Sequence, residues 1–344
     1  MTVFVVDIEE VPTRYTAQWK KWYKEFFERN DIEYNWIGFD TVVKCKKSEF
    51  LSFIPSNIYK TRQTHQLAMY LEYNHIKDGD MIFFLDAWHP GIPAVRQMLL
   101  SYDKDVKMAG FWHAGSYDPY DMLGQTAQQY FIYFEKALYD CLDYNLFATN
   151  FSEILFARQM GFRGINIDMR KSHVAGFIYD VSHLTTDVKE DYIIFPHRLA
   201  IEKGESIFDE FEAWCKENKR LEGFQFIKTL EVTNSKDEYH NLLAKSKFAI
   251  SFSSQETFGI SMMESAFSGC VPIVPDSLSY QELYPKDVKF SMMQKSRESI
   301  YTDIADIMES INASDPSELL QVIKKGLYKY IDASKLVEFF MATK

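Results

Sequence analysis

Cysteine is scarce in this chain: four in 344 residues, at positions 45, 141, 215 and 270, with no Cys-x-x-Cys pair. Such spacing indicates neither a zinc site nor a disulfide framework, so reduced thiols are expected. No apolar run approaches the ~20 residues of a membrane-spanning helix. The opening Val3-Phe4-Val5-Val6 leads into an acidic turn without a signal-peptide pattern, and a soluble cytoplasmic protein is the expectation. Internal repeats, low-complexity tracts, a phosphate-cradling Gly-x4-Gly-Lys-Ser/Thr loop and a Gly-x-Ser-x-Gly elbow are all missing. P-loop hydrolase and serine-hydrolase readings are thereby set aside. Positive charge is also short, with 38 Lys and Arg against 49 Asp and Glu. A net charge of -11 argues against indiscriminate binding to polyanions.

What is present is hydrophobic and aromatic: 47% and 16% of the residues, enough to exclude disorder as the main state. The length is large for one core and comfortable for two domains. The stretch 246–285 organises the chain. An apolar run, 248–252, gives way to small polar residues, then to Glu256-Thr257-Phe258-Gly259-Ile260, after which apolar residues recur at helical spacing through Phe267. That pattern predicts strand, tight turn and helix, with Gly269 closing the helix and 271–275 forming a second short strand. Gly259 permits close backbone approach, and the N–H groups of a helix start suit an anion. Glu256 and Glu264 frame the place, the second about two helical turns after the first. Carboxylates accept hydrogen bonds from sugar hydroxyls, so one anion site with two carboxylates suits a sugar nucleotide better than a bare phosphate.

At these residues the sequence resembles the GT-B retaining glycosyltransferases, in particular the family-4-like group with its Glu-x7-Glu signature. Tyr280-x-Glu282-Leu283 extends the likeness. The resemblance implies that Glu256 contacts donor-sugar hydroxyls, that the backbone of Phe258, Gly259 and Ile260 meets sugar and phosphate, and that Glu264 holds the ribose. It also implies two Rossmann-like domains facing a central cleft: residues 1–183 on the acceptor side and 184–328 on the nucleotide-sugar side. A last helix, 329–344, commonly crosses back to the first domain. Retention of configuration is expected, with no obligatory cofactor or metal. A nucleotide-diphosphate sugar, UDP-linked by preference, serves as co-substrate.

Candidate residues follow from strand ends, where ligands of open α/β sheets gather. After the strand 192–195 come Arg198 and Lys203, two cations suited to clamp a diphosphate and stabilise the leaving nucleotide; family members carry both in this loop. After 81–85 come Asp86, Trp88 and His89, placed on the acceptor side, with Trp88 reading equally as a packing residue in the wall between domains. Asp78 and Asp80 precede that strand and read as a polar turn rather than a metal motif. After 106–112 comes His113, at the position of the family's active-site histidine, expected to hydrogen-bond a donor hydroxyl. Asp118 and Asp121 read either as acceptor contacts or as helix caps, caps being the simpler role. The first loop, 8–16, is glycine-rich in the family and glycine-free here. Its Arg14 either replaces backbone donors or faces the acceptor.

The expected catalytic set is therefore His113, Glu256, Arg198 and Lys203. For the acceptor, the aromatic-rich chain resembles phage-encoded glycosyltransferases, some of which glycosylate hydroxymethylated bases in DNA. Such an enzyme would work in the host cytoplasm. Segment 41–71 holds Lys44, Lys46, Lys47, Lys60 and Arg62 among Phe50, Phe53, Tyr59 and Tyr70, compatible with a nucleic-acid strand or with an ordinary solvated loop. DNA is the leading acceptor. A glycan, lipid-linked sugar or small metabolite, a GT-B sugar-nucleotide epimerase and a silent binding protein stay open.

Overall fold

The computed structural model describes residues 1–11, 15–40 and 52–343. It divides into two compact units, residues 1–179 with 332–344, and residues 180–331.

The first unit is built on a six-stranded, all-parallel sheet. Its strands are β1 (Val3–Val6), β2 (Tyr34–Ile37), β3 (Met81–Phe84), β4 (Lys107–Trp112), β5 (Tyr144–Phe147) and β6 (Ser172–Val174), in the order β2-β1-β3-β4-β5-β6. Strands β1 and β3 are apolar and buried at every position, as strands covered by helices on both faces must be. The crossovers are α1 (Thr16–Arg29), α2 (Phe53–Glu72), α3 (Ile92–Ser101), α4 (Met122–Cys141) and α5 (Asn150–Phe162). Helix α2 begins at Phe53, so much of the segment read as a basic loop is helical. Its buried residues, Ser56, Tyr59, Lys60, Gln63, Leu67 and Leu71, recur every three or four positions apart from the adjacent Tyr59 and Lys60. Helix α5 is capped by Thr149, whose hydroxyl accepts from the Ser152 N–H.

The second unit carries a five-stranded parallel sheet in the order β11-β10-β9-β7-β8. The strands are β7 (Glu190–Phe195), β8 (Gln225–Lys228), β9 (Ser246–Ile250), β10 (Val271–Pro275) and β11 (Lys289–Phe290). Its helices are α6 (Glu205–Glu217), α7 (Thr229–Val232), α8 (Lys236–Lys245), α9 (Ile260–Phe267), α10 (Tyr280–Leu283), α11 (Arg297–Asn312) and α12 (Ser317–Ile331). The strand–turn–helix–strand pattern read at 246–285 is β9–α9–β10. Helix α13 (Ser334–Ala342) belongs to the first unit, where Phe340 meets the rings of Phe26, Phe27 and Phe83.

Asp78 and Asp80 stand at the amino end of β3. Asp80 accepts from the N–H groups of Thr2 and Lys77, and Asp78 from that of Asp105. They brace a turn, as their position before the strand implies.

Candidate active site

In the second unit, the loops at the carboxyl ends of β7 and β9 bring two of the expected donor residues, Lys203 and Glu256, into contact. The β7 loop passes Arg198, which pairs with Glu202 one turn on, and ends at Gly204, whose φ of 77° turns the chain into α6. Lys203 is buried and reaches across to the other loop. Its ammonium donates to the Gln255 carbonyl at 2.6 Å and to Glu256 Oε2 at 3.0 Å. Burial alone would raise the Glu256 carboxyl; the Lys203 ammonium and the Gly259 N–H outweigh it and hold the group below its ordinary value.

Gly259 precedes α9 at φ 83°, and a Cβ there would lie 2.5 Å from the Tyr280 ring. Both facts require glycine. The first turn of α9, Ile260 onward, therefore starts close over the sheet edge, with N–H groups directed away from the helix as at any helix start. Phe258 is a core side chain, so only its backbone is available to a ligand. Glu264 lies one face along α9. Tyr239 donates to its Oε2 at 3.0 Å, His240 Nε2 is 3.8 Å from its Oε1, and the His183 ring stands 4.9 Å from that of His240.

In the first unit the carboxyl edge of the sheet is a buried polar network. Asp86, after β3, binds the ammonium of Lys60 from α2 at 2.5 Å, and Lys60 also donates to the Trp88 carbonyl. Burial raises the Asp86 carboxyl and Lys60 more than offsets this, leaving it below its ordinary value. Trp88 is half-buried; its indole N–H donates to Glu135 Oε1 at 3.1 Å, and its ring meets Phe131 and Phe134 edge-on. Glu135 also accepts from the Ser116 N–H, and burial lifts its carboxyl to about 7.

His113 is half-buried after β4. Nε2 is 2.8 Å from the Leu85 carbonyl, which only accepts, so Nε2 carries the proton and Nδ1 accepts from the Tyr15 hydroxyl at 3.2 Å. Both ring nitrogens are engaged, and a bond from Nδ1 to a sugar requires Tyr15 to yield it. Burial pulls the ring below the ordinary histidine value.

Two acceptor-side expectations are corrected. His89 is 1% exposed, with Nε2 donating to Gln63 Oε1 and Nδ1 accepting from the Gly91 N–H; its burial, together with Lys60, pushes it down to about 3, and it braces the loop instead of facing a ligand. Asp118 is buried and accepts from the Tyr120 N–H, and Asp121 caps α4 through the Leu123 N–H. Arg14 lies outside the described residues. Lys60 cannot serve a nucleic-acid strand either, being 3% exposed and used by Asp86.

Sequence reasoning missed Lys60, Glu135, Tyr15, His197 and Tyr239. The signal for Lys60 and Gln63 was present: polar residues at buried positions of a helical stripe require partners. Among the described residues no group of three or more His, Cys, Asp or Glu is placed to hold a metal ion.

No protein family's sequence profile matches the chain. Over 66 residues, 19% of this chain, it is 36% identical to the tRNA-queuosine alpha-mannosyltransferase of Drosophila melanogaster, and spans 18% of that protein's length. The Anabaena protein HepE, solved with UDP and glucose, superposes with a TM-score of 0.61 at 11% identity, covering 100% of this chain and 99% of that one. The pneumococcal O-GlcNAc transferase GtfA, solved with UDP and GlcNAc, superposes with a TM-score of 0.52 at 14% identity; 80% of this chain is covered, and it spans 58% of GtfA. Two parallel-sheet α/β units with these neighbours make the fold of this chain that of the GT-B glycosyltransferases.

Proposed function

We propose that the chain is a retaining glycosyltransferase that moves a sugar from a UDP-sugar to an acceptor hydroxyl. The observation that carries this reading is the Lys203–Glu256 pair. It sets one cation and one carboxylate beside a glycine-started helix, with Arg198 in the same loop. In this reading the amides of the α9 start, Arg198 and Lys203 take the charge that develops on the leaving diphosphate. Glu256 accepts from sugar hydroxyls and Glu264 from the ribose. His113 is the sugar-contacting residue of the first unit, and Asp86 and Trp88 serve the acceptor.

The bond from C1 to the leaving phosphate oxygen breaks as the acceptor oxygen bonds C1 on the same face. The acceptor's proton passes to that phosphate oxygen. This route needs no carboxylate nucleophile on the far face of the sugar.

The acceptor read first is a hydroxymethylated base in DNA, as a phage enzyme modifying its own genome would use. Arg62, exposed with its guanidinium 4.1 Å from the centre of the Phe39 ring, supports a nucleic-acid surface. So does the short similarity to an enzyme whose name gives queuosine in tRNA as its target. The test is proton NMR of the product formed from a UDP-sugar and hydroxymethylated DNA at low salt. Retained anomeric configuration, with a rate falling steeply as salt rises, is the expected result. Inversion overturns the mechanism, no transfer to DNA removes that acceptor, and a product from donor alone indicates an epimerase.

A further inference from the structure

His197 stands inside the second unit's candidate site and has no part in the reading above. It is 4% exposed, packed on Phe195 with ring centres 5.2 Å apart, and its Nδ1 lies 3.1 Å from Ser261 Oγ. That bond joins two separate pieces of chain. His197 belongs to the loop after β7 and is followed directly by Arg198; Ser261 is the second residue of α9 and sits in its first turn.

The other ring nitrogen is the informative one. Nε2 is buried and has no hydrogen-bond partner. This holds for either tautomer. If Ser261 donates to Nδ1, Nε2 bears a proton with no acceptor; if Nδ1 donates to Ser261, Nε2 is an acceptor with no donor. A buried polar atom in that condition is uncommon and unfavourable, and an aromatic hydrocarbon side chain would fill the space without it. Nor does the ring add a charge for an anion, since burial and the nearby Lys203 push it down to about 3. What it supplies, and a phenyl ring would not, is the bond to Ser261.

We propose that His197 is a positioning residue of the donor site: its bond to Ser261 fixes the loop bearing Arg198 against the first turn of α9. Side-chain cations and helix amides then address one diphosphate. The inference rests on the donor reading given above.

The test is calorimetric titration with UDP of the unchanged protein, His197→Phe, His197→Asn, Ser261→Ala and the His197→Phe/Ser261→Ala double variant, with thermal midpoints for each. His197→Phe binds UDP roughly 10-fold more weakly, one hydrogen bond's worth of orientation, while its thermal midpoint is equal or higher. His197→Asn, which keeps a polar atom near the place of Nδ1, recovers most of the affinity. Ser261→Ala loses about as much as His197→Phe, and the double variant loses no more than either. The inference is overturned if His197→Phe binds UDP as tightly as the unchanged protein, or if the two single losses multiply in the double variant. Should His197→Phe fail to fold, Ser261→Ala and His197→Asn decide alone: equal affinities for both and the unchanged protein overturn it. No UDP binding by the unchanged protein is a different failure, that of the donor reading, and takes this inference with it.

Discussion

The Lys203 ammonium and the Glu256 carboxylate, 3.0 Å apart and both largely buried, join the loop after β7 to the turn before α9. Removing the cation leaves a buried carboxylate uncompensated, so Lys203→Met is expected to cost about 3–5 kcal/mol of stability. The pH dependence has a definite sign. Glu256 is held below its ordinary value in the folded chain, so its contribution is present above the unfolded carboxyl's value and is lost as pH falls through the folded one. In Lys203→Met burial raises the Glu256 carboxyl with no cation to offset it, so the variant's deficit should be largest near neutral pH and shrink as pH falls and the carboxyl takes up its proton, as followed by urea unfolding at several pH values. A deficit of the same size at neutral and acid pH contradicts the pairing.

Glu135 runs the other way. Its folded carboxyl is lifted to about 7 by burial. The stability it contributes is complete below the unfolded value and disappears as pH rises through about 7. Glu135→Gln keeps an acceptor for Ser116 and Trp88 without ionising. At pH 8 it should be more stable than the unchanged protein by about 3 kcal/mol, with little difference at pH 4. Urea unfolding at the two pH values measures this; equal differences at both would remove the titration from the account.

Lys60 and Asp86 form the matching buried pair of the first unit. Lys60→Met alone is expected to destabilise by about 3–5 kcal/mol, and adding Asp86→Leu should return much of that loss. Because Lys60 is enclosed, substituting it should leave the salt dependence of any nucleic-acid binding unchanged, whereas Arg62→Ala lowers that slope. Filter binding at several salt concentrations separates the two.

Glu264 is read as the ribose carboxylate. Glu264→Ala should weaken nucleotide binding by roughly 10-fold or more, the loss of charge-assisted hydrogen bonds, with the circular dichroism spectrum unchanged. Tyr239→Phe, which frees Oε2 without removing it, should have the smaller effect. Nucleotide affinity unaltered by Glu264→Ala makes the ribose assignment wrong.

The second unit was the more legible in the sequence. Gly259 between an apolar strand and a helical stripe marked the turn, because local pattern and backbone geometry coincide there, and the carboxylates at 256 and 264, read as the donor's, lie on either side of it. The first unit was read less well, since its polar residues act through tertiary partners. Lys60 looked like surface charge until α2 placed it on the buried stripe opposite Asp86. His89 was read as an acceptor-side residue at a strand's carboxyl end, yet the local Gly91 N–H and distant Gln63 satisfy both its nitrogens. Glu135 gave no local sign at all, because the partners that define it come from loops 19 and 47 residues away.

Thermal unfolding with UDP, GDP, ADP and CMP in turn, on the unchanged protein and on Arg198→Ala, tests the donor site most directly. A nucleotide at a hundredfold its dissociation constant stabilises the native state by ~2.7 kcal/mol, a shift of a few degrees. The account predicts that shift with UDP and its loss in Arg198→Ala. A chain whose midpoint moves with none of the four nucleotides would contradict it.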